Sequence, residues 1–134
     1  MVICPICAEG EPLDVIVELQ TVWVTAAPDA PLPGYVCVVA KRHVDEPYQL
    51  PREEMLAFWD ESMLVARRLA VHVAASKMNY EIHGNTMRHL HLHLYPRFEG
   101  DPFEGRPIDG QQRLFRRTPG ELEKLGQALS APAA

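Results

Sequence analysis

The chain has no long apolar run, no surplus of basic charge, no internal repeat and few cysteines, and each absence narrows what it can be. No stretch approaches the ~20 apolar residues that a membrane-spanning helix needs, so no membrane partner is expected. The opening Met1-Val2-Ile3-Cys4-Pro5 lacks the basic segment and apolar core of a secretory signal, which makes the cytoplasm the expected compartment. A formal net charge of -5 argues against extended nucleic-acid binding, which depends on a dominant basic face. It leaves room for a small phosphorylated ligand held by a few local donors. Three cysteines in a cytosolic chain do not make a disulfide framework. No linker divides the 134 residues, so a single domain over 1–134 is expected.

What is present is a series of short patterned segments. From Leu13 to Ala26, β-branched residues flank Glu18-Leu19-Gln20, which predicts two strands joined by a tight turn. Ala27 to Gly34 holds three prolines and a glycine and is predicted to be a loop outside any central strand. Tyr35 to Ala40 reads as a short strand buried on both faces, with Cys37 as a small hydrophobe within it. Pro51, Glu53 and Glu54 open a long helix. Its Met55, Leu56, Trp59, Met63, Ala66, Ala70 and Val73 recur at three and four and are predicted to face the core, with His72 at the surface or a dimer contact. Met78 to Ile82 is predicted as a strand, Gly84-Asn85-Thr86 as a turn, and the stretch beyond Pro96 to Gly110 as loop. Thr118 and Pro119 begin a short C-terminal helix with threonine as its cap. Strands on both sides of one long helix define an α+β domain with a mostly antiparallel sheet.

The densest chemistry lies at His89-Leu90-His91-Leu92-His93, three of the six histidines in one alternating run. On a strand these rings share a face. A polar, half-exposed strand accommodates one such ring by chance, hardly three. Two imidazoles at i and i+2 can share one ion, but the third lies too far along, at roughly 3.3 Å per residue, to join the same sphere. At least one ring is therefore free for other work.

Cys4 and Cys7 form a Cys-x-x-Cys pair, whose common meanings are a redox centre or a zinc site. The redox form follows a strand and opens a helix, a context that Ala8-Glu9-Gly10-Glu11-Pro12 does not resemble. Zinc needs two more donors, and without a second cysteine pair these must be histidines; His43 and His89 are the candidates. His91 and His93 then remain. A ring that donates one N–H to a backbone carbonyl keeps its other lone pair free and directed, and such a neutral imidazole is a nucleophile toward phosphorus. Asn79, Asn85 and Thr86 lie upstream, placed either to hold phosphate oxygens or simply to form turns. Arg88, Arg97, Arg106, Arg113, Arg116 and Arg117 crowd the last third, and each taken singly reads as a surface residue.

At these residues the chain resembles the histidine triad (HIT) nucleotide hydrolases and transferases. Their signature His-φ-His-φ-His-φ-φ, with φ apolar, is met by His89 to Tyr95. Pro33-Gly34, Lys41-x-His43, the long helix and Tyr95-Pro96-Arg97 agree in their places. The resemblance covers roughly residues 4–97 and leaves 98–134 as a loop and short helix. It implies a HIT-like fold, a homodimer formed through sheet and helix, a small-molecule nucleotide substrate, and a covalent nucleotidyl-histidine intermediate on His91. By the same resemblance His93 orients the nucleophile or touches phosphate, Asn79, Asn85 and Thr86 are phosphate-side contacts, and Asp29 is the candidate acid for ribose hydroxyls. Tyr35 stands where many members carry histidine or threonine. Zinc-containing branches pair a Cys-x-x-Cys with a later histidine and the first triad histidine, which implies structural Zn2+ on Cys4, Cys7, His43 and His89. The branch most resembled is that of bacterial-type diadenosine tetraphosphate hydrolases, so the expected activity is cleavage of a dinucleoside polyphosphate or similar conjugate at its α-phosphate. The alternatives are a nucleoside phosphoramidase, a non-catalytic zinc-stabilised nucleotide-binding module, and a metallohydrolase with its metal on the triad.

Overall fold

The computed structural model describes residues 3–130. Alternating β-branched segments pair locally first. Strand β1 (Val15–Glu18) turns back into β2 (Val22–Thr25), and β2 pairs antiparallel with β4 (Val36–Ala40). The apolar β4 sits third of five strands, flanked by β2 and by a strand at His91–Arg97, which accounts for its burial on both faces. β5 (Lys77–Glu81) and β6 (His91–Arg97) complete an antiparallel sheet.

Side-chain alternation divides the sheet. Val22, Val24, Val36, Val38, Leu92 and Leu94 face the main core, each 0 or 1% exposed. Each such side chain contributes roughly 1.5–3 kcal/mol relative to exposure. Against this face lie the long helix α2 (Arg52–Val73) and the C-terminal helix α3 (Pro119–Ser130). The cap of α3 is as expected: Thr118 Oγ1 accepts from the Glu121 N–H at 3.1 Å.

The phase of α2 differs from the expected one. Its buried line is Phe58, Ser62, Val65, Ala66 and Leu69, whereas Met55, Trp59, Met63, Ala70 and Val73 are half-buried flanks and Leu56 is exposed. The helix is apolar over a wide arc, so spacing alone leaves its rotation open and docking on the sheet decides it. His72 is exposed, as expected.

The proline-rich loop contains a strand after all. β3 (Asp29–Ala30) pairs with β7 (Phe115–Arg116) in a separate two-stranded ribbon. The ribbon ties the C-terminal segment over a second apolar cluster of Leu32, Tyr95, Phe103 and Ile108, edged by Tyr35 and Phe115. Gly34, at φ +82°, turns the chain into β4 where an added Cβ would lie 2.9 Å from Val73. No helix among the described residues is long and apolar enough to cross a membrane.

Candidate functional site

The N-terminal cysteines are brought together by a helix that the sequence reading did not anticipate. α1 (Pro5–Glu9) has Pro5 in its first turn and ends on Gly10 at φ 86°, so the five residues make a single closed turn with Cys4 at its start. Residues three apart on a helix are neighbours, and buried Ile6 anchors the turn. Among the described residues no strand precedes this helix.

His43 lies three residues past the end of β4, and His89 precedes the paired part of β6. The segment carrying His89 is laced to the chain after β4: the Ala40 N–H donates to the Leu90 carbonyl at 3.0 Å, and the Leu90 N–H to the Val44 carbonyl at 2.8 Å. That lacing sets the two rings 3.0 Å apart at their Nδ1 atoms. Cys4 Sγ lies 3.4 Å from His89 Nδ1, and Cys7 Sγ lies 3.4 Å from His43 Nδ1. All four donor atoms fall within 4.8 Å of one another. In a tetrahedral site with metal–nitrogen bonds near 2.0 Å and metal–sulfur bonds near 2.3 Å, donors sit about 3.3–3.8 Å apart. The set therefore fits a metal ion once the two imidazoles separate a little and the most widely spaced donors draw in. His89 is 1% exposed, and burial lowers its pKa, favouring the neutral ring that a metal requires. Its Nε2–H donates to the Ala40 carbonyl at 2.6 Å, which aims the Nδ1 lone pair into the cluster.

The triad is thus not one uninterrupted row. His89 turns toward the four-donor cluster, while the ladder begins at His91, opposite Val39, and continues through His93, opposite Cys37. His91 Nδ1 donates to the His89 carbonyl at 2.6 Å, leaving Nε2 as the nitrogen with a free lone pair. The His91 and His93 rings meet edge-on with centroids 5.0 Å apart. Burial, reinforced by His91, His83 and Arg113, lowers His93 to about 4, so this ring is neutral near pH 7.

Three residues at this site were missed. The Tyr35 hydroxyl lies 2.7 Å from His93 Nδ1. Glu81 pairs with His93 across β5 and β6 on the same face, and it accepts a hydrogen bond from His83 Nε2 at 2.7 Å. Strand parity with Asn79 would have pointed to Glu81; Tyr35 drew notice only for standing where the family often has histidine or threonine, and its partner lies 58 residues away.

The other candidates are dispersed. Asn79 lies opposite Tyr95, and its side-chain oxygen accepts from Arg97 Nη1 at 2.8 Å. Thr86 lines a cleft of about 340 Å³ that also includes Asp45, Arg88 and two of the four clustered donors, Cys4 and His43. Asn85 is exposed in the same turn. Asp29 lies in the β3–β7 ribbon with its carboxylate 3.0 Å from Arg116 Nη1.

Not all of the arginines are surface residues. Arg117 is 5% exposed and donates to the carbonyls of Ala27 and Tyr35. Arg97 donates to Asp101, Asn79 and the Phe103 and Arg106 carbonyls, securing the loop that covers Tyr95. Asp101, with 3% side-chain exposure, is held down to about 2 by its hydrogen bond to Arg97. A carboxylate lowered in the folded state stabilises it above the ordinary value of 3.8, and that contribution disappears as pH falls toward 2. Asp101→Asn is expected to cost about 1–3 kcal/mol at pH 7 in urea denaturation and to flatten the stability loss between pH 4 and 2. An unchanged midpoint at pH 7 would refute this role.

A five-stranded antiparallel sheet with a long helix on one face and alternating histidines on the other defines a histidine triad protein. The model of the HIT domain matches residues 9–100, and the chain belongs to that family. Family members are generally nucleotide hydrolases or transferases, some of them non-catalytic. A histidine triad protein from Sinorhizobium meliloti superposes with a TM-score of 0.76 at 25% identity, over 86% of this chain and 85% of that one. One from Bradyrhizobium japonicum gives 0.78 at 24% identity, over 96% and 94%. A zinc-bound histidine triad family protein from Mycobacterium smegmatis gives 0.63 at 24% identity, over 94% and 87%. A search of curated protein sequences finds no match.

Proposed function

We propose that the protein is a nucleotide hydrolase that cleaves a dinucleoside polyphosphate, or a similar nucleotide conjugate, at the α-phosphate. The observation that carries this is the 2.6 Å bond from His91 Nδ1 to the His89 carbonyl, which leaves the Nε2 lone pair as the free nucleophile beside His93. Nε2 attacks phosphorus, the bond to the leaving phosphate breaks with its electron pair, and a nucleotidyl-histidine forms. Water then attacks phosphorus, the P–N bond breaks, and the ring recovers its lone pair as nucleoside monophosphate leaves. His93, neutral, serves as a hydrogen-bond partner to the oxygens that gain charge. Asn85 and Thr86 are read as phosphate-side contacts, with Asn79 and Asp29 reaching substrate only if released from Arg97 and Arg116.

The ion is read as structural Zn2+, supported by the two-thiol, two-imidazole donor set and by the zinc-bound relative. When bound, it cross-links the N-terminal turn to the segments bearing His43 and His89 and takes no part in the chemical steps. A homodimer is part of the same reading, supported by the outer edge of β5, which pairs with no other strand among the described residues and where Tyr80 is half exposed.

The test is release of AMP from diadenosine tetraphosphate and from adenosine 5′-phosphoramidate by the purified protein. Faster release from the first supports the hydrolase; faster release from the second makes the protein a phosphoramidase by the same histidine chemistry. Release from neither, with either nucleotide raising the melting temperature, replaces the proposal with a binding module.

A further inference from the structure

We infer that Tyr35 is a positioning residue that holds His93 in the tautomer with its proton on Nε2. The role rests on one contact and on the way Tyr35 is held. Its hydroxyl lies 2.7 Å from His93 Nδ1. Its ring stacks on Tyr95 with centroids 4.7 Å apart and planes 13° apart. Its carbonyl accepts from Arg117 Nη1 at 2.7 Å, and its N–H donates to the Leu32 carbonyl at 3.3 Å. Arg117 is itself buried and also held by the Ala27 carbonyl. The phenol is therefore fixed from its backbone and from its ring face.

The direction of the hydrogen bond follows from the two groups. A neutral imidazole has one N–H and one basic nitrogen, and that nitrogen accepts more strongly than a phenol oxygen. If Nδ1 carried the proton, the part-buried hydroxyl hydrogen would lose its best acceptor, and a bond left unmade away from bulk water carries a cost. With the phenol donating to Nδ1, both groups are satisfied and the imidazole proton resides on Nε2. Burial raises the Tyr35 hydroxyl well above its ordinary pKa, so it remains a donor throughout the working range. His93 then offers one fixed donor, its Nε2–H, on the face that carries His91.

In the proposed reaction this donor is the group available to a phosphate oxygen or to the leaving oxygen, a role that rests on the preceding reading. The tautomer itself does not, and it is measured without substrate. The experiment is a long-range 1H–15N correlation spectrum of the full-length protein labelled with 15N-histidine, with the His93 signals assigned by their loss in His93→Gln. The expected result is a pyridine-like Nδ1 and a pyrrole-like Nε2 for His93, giving way to a mixture of tautomers in Tyr35→Phe. With a nucleotide that is turned over, Tyr35→Phe lowers kcat by roughly tenfold with little change in KM, and Tyr35→His restores part of it. A protonated Nδ1 in the wild-type spectrum, or an unaltered tautomer in a folded Tyr35→Phe, overturns the inference. If the tautomer behaves as expected while no nucleotide is hydrolysed, the hydrolase reading fails and the positioning role stands.

Discussion

His91→Asn is expected to remove nucleotide hydrolysis, with kcat falling by a factor on the order of 10^4 or more, while the protein stays folded. The size follows from what is lost. In covalent catalysis, removal of the nucleophile abolishes the two-step route, and only binding and electrostatic stabilisation persist. Asparagine has no lone pair able to form a stable bond to phosphorus, yet its amide can still donate toward the His89 carbonyl, as the His91 ring does at 2.6 Å. The half-buried position makes a large loss of stability unexpected. Stopped-flow or quenched-flow product assays with each nucleotide, beside thermal melting, give the answer. Turnover within tenfold of the unaltered protein would mean that another group attacks phosphorus, and the nucleophile assignment would be withdrawn.

Removing the metal is expected to act on the fold. Cys4, Cys7, His43 and His89 come from an N-terminal turn, the segment after β4 and the segment before β6, so an ion binding all four closes long loops of the chain. Structural zinc in small sites contributes many kcal/mol of apparent binding free energy that is available to folding. Loss of even ~3 kcal/mol would lower the melting temperature of a domain this size by about 10 °C. Strong chelation, or Cys4→Ser, should therefore produce a drop of that order or greater, with one zinc per chain released. Activity measured at low temperature, before unfolding, should survive. Activity that vanishes in a folded chelated protein and returns with added metal would make the ion catalytic. No change in melting or activity would end the metal reading.

The long helix shows where local reading stops. Periodicity located it to within a residue or two, with Arg52 rather than Pro51 as its first helical residue. It misjudged the rotation because apolar residues occupy more of the circumference than the sheet covers. The arginines show the same limit. Burial of Arg117 beside the Ala27 and Tyr35 carbonyls depends on the β3–β7 ribbon, and enclosure of the Arg97–Asp101 pair on a loop that folds back over Tyr95.

By itself the sequence determined the five strands of the main sheet, the long helix and the C-terminal helix, though not β3, β7 or α1, and it nominated the donor types for a metal site and a histidine for attack on phosphorus. These depend on side-chain period, caps and residue chemistry, which act over a few residues. Tertiary structure set the register by which the ladder begins at His91, with His89 just before it and beside Cys4. It also brought Tyr35 to His93, paired Asp29 with Arg116 and gathered four donors across 85 residues. Those outcomes depend on antiparallel register and on which backbone carbonyl each ring finds, and both arise only when distant segments are packed together.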